Sequence, residues 1–248
     1  MEDQENLDTF IQRIHQHDAP FYREHWGGVQ KFAELPVVTR EDFLKTPLSL
    51  RRYKDEKALI KIVHDPAGAF LSEWSFVDIG REAYGLPARR PMVFLENPHE
   101  AIEKSMWCYE HGMLPLVGEK TLEIATYAAE KYKIDSLITD TSSLIKLEPY
   151  VRGRGPLDSI SILGERFEPK ELLHFGQYAR QVRLVLALPE TGAIAAAALA
   201  AEPRWEALPD CILENTETLL VTKKRLLVTP IVRYQTTLPP LNNYDGAL

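Results

Sequence analysis

An α/β fold is predicted by the order of apolar segments in the chain. From Ala58 onward, short apolar runs alternate with stretches at helical spacing, which is typical of βα units around a largely parallel sheet. After Cys211 the pattern changes to antiparallel strands up to Val232, with a turn at TKK. We therefore predict stacked βα layers followed by a β-rich C-terminal part.

The elements follow this order along the chain. The predicted strands are ALIKIVH, PMVFLEN, MLPLVG, DSLITD, SISILGE and VRLVLALPETG. The predicted helices are Pro98 to His111, Lys120 to Tyr132 and EPKELLHFGQYA. The stretch AIAAAALAA stays open between a helix, which alanine favours, and a strand, which its neighbours favour.

The N-terminal part is predicted to be helical and to pack on this core. Asn6 to His17 carries one apolar stripe at helical spacing, and Thr39 is an expected N-cap for a short helix that ends at Pro47. We divide the chain into a helical segment at 1–57, a parallel βα core at 58–192 and a β-rich part at 193–248.

Composition excludes several classes of protein. The 248 residues carry a formal net charge of -7 without a basic run, which argues against binding to nucleic acid. Two distant cysteines, Cys108 and Cys211, predict neither a disulfide framework nor a zinc site. No apolar run approaches the ~20 residues that cross a membrane, and the acidic start MEDQENLD differs from a signal peptide, so we expect a cytoplasmic protein.

Six short motifs together resemble one enzyme superfamily. They are PFYREHW, LPVVTREDF, ILGERFEP, LALPETG, LLVT and PIVRYQT, and they span about Ala19 to Thr237. Their order and spacing resemble adenylate-forming (AMP-dependent) ligases, in the branch of phenylacetate-CoA ligase and acyl-protein synthetases. The resemblance implies the fold of their N-terminal domain. It also implies a reaction in which a carboxylate attacks the α-phosphate of ATP, with Mg²⁺ as a cofactor.

The resemblance assigns roles to six residues. Glu190 matches the magnesium-linked and catalytic glutamate, with a solvated glutamate in a turn as the alternative. Gly164 and Glu165 match a turn beside the adenine and acyl pocket, with a plain βα turn as the alternative. Three residues match the start of a nucleotide-binding motif: Arg233, Tyr234 and Thr236.

Three devices of the family are altered. The phosphate-loop position, HDPAGAF, keeps Gly68 but has no Ser, Thr or Lys, and Asp65 adds a negative charge. Leu238 follows Thr237 where the family has the Asp that accepts the ribose hydroxyls. The family continues into a mobile lid that carries a lysine, whereas this sequence ends at Leu248, so we expect no lid lysine.

These departures leave three functional hypotheses. The first is a shortened protein that cannot complete acyl-adenylation alone, and that retains binding of a carboxylate or nucleotide or has a regulatory role. The second is a minimal ATP-dependent ligase completed by a separate lid protein. The third is a scaffold that pairs with a true ligase or with itself as a homodimer.

Other clusters have simpler explanations. We expect Ser142 and Ser143 to cap the helix that begins near Leu144. The histidines of the N-terminal segment do not have the spacing of a metal site. The sequence RGRG at 152–155 could bind a phosphate but is expected to be a loop.

Overall fold

The structure is a computed structural model that describes residues 7–16, 19–52, 60–65, 68–73, 89–117, 121–223 and 230–244. The helices are α1 (Leu7–Gln16), α2 (Pro20–His25), α3 (Arg40–Lys45), α4 (Leu48–Arg51), α5 (Pro98–Glu110), α6 (Leu122–Tyr132), α7 (Thr141–Gly153) and α8 (Pro169–Leu172). Short 3₁₀ helices lie at Phe32–Glu34 and Leu173–Gln177.

The strands in chain order are β1 (Ile60–Asp65), β2 (Gly68–Glu73), β3 (Pro91–Phe94), β4 (Leu116–Val117), β5 (Ser136–Asp140), β6 (Leu157–Gly164), β7 (Ala179–Leu188), β8 (Gly192–Ala198), β9 (Glu206–Ala207), β10 (Cys211–Asn215), β11 (Leu219–Lys223) and β12 (Ile231–Gln235). They form one seven-stranded, one three-stranded and one two-stranded sheet among the described residues.

A largely parallel sheet forms the centre of the fold, as predicted. Its order is β4-β3-β5-β6-β7-β8-β9, and the strands from β4 to β7 are parallel. These strands are apolar almost continuously because helices cover both faces, which leaves little surface for polar side chains. The largest hydrophobic core lies between this sheet and its helices.

The alanine-rich stretch is a strand. β8 pairs antiparallel with β7, so that Leu184 lies opposite Ala197 and Leu186 opposite Ala195. Its alanines are nearly all buried. Burial in the sheet therefore outweighs the helix propensity of alanine. β8 begins at the border that we placed between 192 and 193, and the division into three parts stays a prediction.

The segment ALIKIVH is not part of the parallel sheet, and that prediction was wrong. β1 pairs antiparallel with β2 in a separate hairpin, in which Asp65 lies opposite Gly68. Ile62 is 63% exposed there, so the apolar run did not signal burial between two layers of helices. The middle of the predicted phosphate loop, at 66–67, lies outside the described residues.

The N-terminal segment packs on the three-stranded sheet and forms a second core with β12. Thr39 caps α3 as predicted: its hydroxyl accepts from the Asp42 amide, and the Asp42 carboxylate accepts from the Thr39 amide. The predicted TKK turn was placed too early in the chain, since Thr222 and Lys223 belong to β11, and Lys224 lies outside the described residues. Another turn, between β10 and β11, lies at 216–218.

Candidate functional site

The parallel strands end together at one edge of the sheet, which is where ligands bind in open α/β folds. A cavity of about 390 Å³, called the edge cavity here, lies at this carboxyl edge. Gly164 and Glu165 line it at the end of β6, and Leu188 and Pro189 line it at the end of β7. Asp140 lines it at the end of β5. The predicted turn of Gly164 and Glu165 therefore lies at this edge, and its place beside an adenine and acyl pocket stays a prediction.

Helix α5 supplies polar groups to the same cavity. Glu100, Glu103 and Lys104 line it, and the Glu103 and Lys104 side chains are almost completely buried. Lys104 Nζ lies 3.9 Å from Glu103 Oε1, so the two charges partly compensate each other. Asparagine 97 caps the helix by accepting from the amide of His99 at 3.0 Å. Sequence reasoning missed these residues, because nothing in the pattern of α5 indicates that its charged side is buried.

The Asp140 carboxylate accepts hydrogen bonds from the two serines at positions 142 and 143. Its carboxylate accepts from the Ser143 amide at 2.7 Å and from the Ser142 hydroxyl at 2.7 Å, and it caps α7. The prediction that Ser142 and Ser143 cap this helix was therefore wrong, since the helix already begins at Thr141. Asp140 also accepts from the Glu96 amide, which joins the ends of β3 and β5.

Glu190 lies in the turn between β7 and β8 and is 7% exposed. Its Oε1 accepts from the Arg40 guanidinium at 2.5 Å. Arg40 is the first residue of α3, directly after the Thr39 cap, so the fixed start of that helix positions it. A Mg²⁺ ion, which requires oxygen ligands at short range, would have to compete with Arg40 for this carboxylate. The magnesium role of Glu190 stays a prediction, and the Arg40 pairing does not favour it.

Glu165 lies between the edge cavity and a second one. Its pKa is raised above the ordinary value, first by partial desolvation and then by the negative charge of Glu190. Glu100 adds to this increase, while Arg166 and Arg40 oppose it. The electrostatic coupling shows that the predicted residues Glu165 and Glu190 lie near each other in the fold.

The second cavity has a volume of about 780 Å³ and is called the aromatic cavity here. Phe167 and Trp205 line it, with ring centroids 5.8 Å apart. Leu186 and Leu238 line it as well. The charged residues around it are three glutamates and one arginine: Glu165, Glu168, Glu202 and Arg166. The cavity therefore combines aromatic walls with a surplus of negative charge.

The remaining predicted residues line neither cavity and take part in packing instead. The Arg233 guanidinium pairs with both oxygens of Glu214, at 3.1 and 3.0 Å, and donates to the Leu35 carbonyl. The Tyr234 ring is buried and stacks on Phe43 at 5.0 Å.

The Thr236 hydroxyl also forms hydrogen bonds to other protein groups. It donates to the Leu219 carbonyl at 2.8 Å and accepts from the Leu238 amide at 3.1 Å. Of the motif from Arg233 to Leu238, only Leu238 lines one of these two cavities, and its side chain can accept no hydrogen bond.

No model of a protein family and no curated protein sequence matches this chain. Solved structures do match it. The Klebsiella oxytoca NpsA N-terminal subdomain in complex with anthranilyl-AMSN gives a TM-score of 0.55 at 14% identity, over 69% of this chain and 53% of that one. Escherichia coli MenE with bound OSB-AMS gives 0.52 at 10% identity, over 74% of this chain and 43% of that one.

This chain has the fold of the N-terminal domain of adenylate-forming enzymes. The predicted fold is thereby confirmed, and the chain spans about half the length of the solved proteins that it matches. Affiliation with the phenylacetate-CoA ligase branch stays a prediction. Within the described ranges, no helix is long and apolar enough to cross a membrane. No group of three His, Cys, Asp or Glu residues in those ranges could hold a metal ion.

Proposed function

We propose that this protein binds a small molecule at the carboxyl edge of its sheet and does not adenylate a carboxylate by itself. The proposal rests on one observation: the residues that were predicted to bind a nucleotide already pair with other protein groups. Arg233 and Tyr234 hold the N-terminal segment, and Glu190 is paired with Arg40. A ribose next to Leu238 would lack its carboxylate acceptor, which costs about 1 to 3 kcal/mol per buried hydroxyl left unpaired.

The aromatic cavity suggests the chemistry of the ligand. Its 780 Å³ lies in the range of small-molecule pockets, and Phe167 and Trp205 give it an aromatic lining that suits a ring-bearing molecule. Three glutamates against one arginine oppose a ligand with several negative charges. We therefore propose a ring-bearing ligand of low negative charge and without a ribose, such as a nucleobase, rather than a nucleoside triphosphate.

The matched structures support a ligand-binding role for this fold. NpsA and MenE were solved in complex with anthranilyl-AMSN and with OSB-AMS, respectively. The ordered sequence motifs support the phenylacetate-CoA ligase-like branch as the origin of the chain. We propose the carboxyl edge of the sheet as the binding site here, because the edge cavity lies there.

The absence of adenylation is tested by release of pyrophosphate from MgATP with a set of aryl and alkyl carboxylates. We expect no release above the background of a protein-free control. Release by the chain alone that disappears in Glu190→Gln would overturn the proposal. Release that appears only when a second, lid-bearing protein is added would instead favour the minimal ligase that such a protein completes.

Binding is tested by calorimetry with adenine, AMP and MgATP, which share one ring system and increase in negative charge. We expect the affinity to fall in that order, and Trp205→Ala to weaken adenine binding by about tenfold, as stacking on one aromatic ring is worth ~1 to 3 kcal/mol. Tyr127→Ala on α6 is the matched control, since Tyr127 is exposed and lines neither cavity. Tightest binding of MgATP, or no heat with any of the three, would contradict the proposed ligand class.

A further inference from the structure

Helix α5 buries two charged side chains and exposes three large apolar ones. Glu103 and Lys104 are each 4% exposed, whereas Ile102, Met106 and Tyr109 are 45%, 38% and 70% exposed. The three apolar residues follow the i, i+4, i+7 spacing of one helix face. The inward charges are explained by the edge cavity that they line. The outward stripe has no such explanation, because solvent-facing helix sides are normally polar.

The stripe continues to the edge of the central sheet. The chain turns directly after Tyr109, whose carbonyl accepts from the Gly112 amide, and then enters β4. Leu114 and Val117 in this stretch are 58% and 50% exposed. β4 is the outermost strand of the sheet, and in the part of the chain that the structure describes it pairs only with β3.

We propose that this surface binds a second copy of the chain across a two-fold axis. The surface, called the α5 patch here, consists of the five exposed residues Ile102, Met106, Tyr109, Leu114 and Val117. At about 200 Å² for a large side chain, their exposed fractions amount to on the order of 500 Å². A standard interface buries roughly 800 Å² per partner, of which a little over half is apolar. The α5 patch thus supplies the apolar part of one such interface.

The ends of α5 favour a partner helix that runs antiparallel. His99 lies in the first turn and Glu110 is the last residue, and both are exposed. Glu110 lies at the negative end of its own helix dipole, which is unfavourable in isolation. In an antiparallel pair it lies beside the first turn of the partner, where the dipole is positive and His99 is a hydrogen-bond donor. One helix then supplies both halves of a self-complementary contact, which a two-fold dimer requires.

A sheet that continues across the axis agrees with this arrangement. A two-fold axis perpendicular to the sheet keeps both copies of α5 on the same face and brings the two β4 edges together. Edge strands carry unsatisfied amides and carbonyls, so pairing or covering them is favourable. Ile102 of one copy then packs near Met106 of the other.

Sedimentation equilibrium of the full chain over a range of concentrations tests the dimer. We expect Ile102→Glu to raise the dimer dissociation constant on the order of 100-fold, because two added charges would be desolvated close to each other. Ile145→Glu on α7 is the matched control, since Ile145 is 56% exposed outside the α5 patch, and it should leave the constant unchanged. Circular dichroism verifies that both variants are folded.

A charge reversal tests the orientation. His99→Glu and Glu110→Lys should each weaken the dimer severalfold, and the double variant should recover most of the loss. A monomeric wild-type chain at all concentrations would overturn the proposal. A dimer that Ile145→Glu weakens as much as Ile102→Glu does would overturn it too. No recovery in the double variant would overturn the antiparallel arrangement.

Discussion

Two regions of the chain carry the residues that were predicted to bind a nucleotide, and these residues differ in what they contact in the fold. In β12 and directly after it, Arg233, Tyr234 and Thr236 pair with protein groups, and Arg233 and Tyr234 join the N-terminal segment to the three-stranded sheet. At the ends of β6 and β7, Glu165 and Glu190 lie at the carboxyl edge of the central sheet, where Glu165 lines two cavities and the negative charge of Glu190 raises the pKa of Glu165. The comparison shows that one group of predicted residues takes part in packing, whereas Glu165 lines cavities whose role in ligand binding stays a prediction.

The largest expected effect lies in the structural region. Arg233→Ala removes a two-bond pair with Glu214, whose side chain is only 11% exposed, and should lower the free energy of unfolding by about 3 to 5 kcal/mol. Urea unfolding measures the change. Arg180→Ala is the control, because the Arg180–Asp158 pair is solvent-exposed and should contribute less than about 1 kcal/mol. Equal losses of stability in both variants would contradict the expected difference between the largely buried Arg233–Glu214 pair and the exposed Arg180–Asp158 pair.

Glu190→Ala tests the functional region in the same way. Arg40 loses this carboxylate partner, and we expect a loss of roughly 2 kcal/mol, less than at Arg233, since one hydrogen bond to Arg40 is removed instead of two to Glu214. The exposed pair Glu96–Lys146 provides the control variant Glu96→Ala, whose loss should be clearly smaller because solvent screens both charges. Carbon-13 NMR titration should also show a lower pKa of Glu165, because the negative charge of Glu190 raises it. An unchanged pKa would contradict the coupling of the two predicted residues.

Gly164→Ala tests the shape of the site. An added Cβ would lie 3.3 Å from two atoms of the Phe167 ring, which must shift by a few tenths of an ångström. We expect a loss of about 1 kcal/mol from this overpacking, together with weaker binding in the aromatic cavity that Phe167 lines. Gly176→Ala is the matched control, since its added Cβ would meet no atom within 4 Å. Equal unfolding curves for the two variants would show that the ring moves without cost.

The smallest effect concerns the pH dependence of stability. Because the pKa of Glu165 is raised in the folded chain, the folded state holds this proton more tightly than the unfolded state. The contribution of Glu165 to the stability of the fold therefore falls as the pH rises from the ordinary pKa to the raised pKa. Glu165→Gln should gain a small amount of stability above this window and none below it, since the side chain is only partly shielded and solvent screens its charge.

Glu96→Gln should show the opposite sign. Its hydrogen bond to Lys146 lowers the pKa of Glu96, so the wild-type contribution is present above the ordinary pKa and lost as the pH falls. Thermal unfolding of both variants from pH 3 to pH 8, with about half a pH unit between steps, measures the two profiles. If both variants changed stability in the same direction, this would contradict the opposite pKa shifts of Glu165 and Glu96.

Much of the fold could be predicted because its signals are local. Alternating apolar runs gave the parallel sheet, and Thr39 with Asp42 three residues later gave the capped start of α3. The hairpin of β1 and β2 was mistaken for a strand of the sheet, because an apolar run does not reveal whether its partner is parallel or antiparallel. The alanine-rich β8 was undecided for a related reason, since its partner β7, and not its own propensity, makes it a strand.

The sequence by itself determined the α/β class, the order of the elements and the motifs from which the fold of adenylate-forming enzymes was predicted. Only the tertiary structure decided which of the motif residues line a cavity and which pair with other protein groups. Arg40 meets Glu190 across 150 positions of the chain, and Arg233 meets Glu214 because β10, β11 and β12 pair side by side. Such pairings depend on which surfaces the packed layers bring together, and no local pattern of residues encodes that.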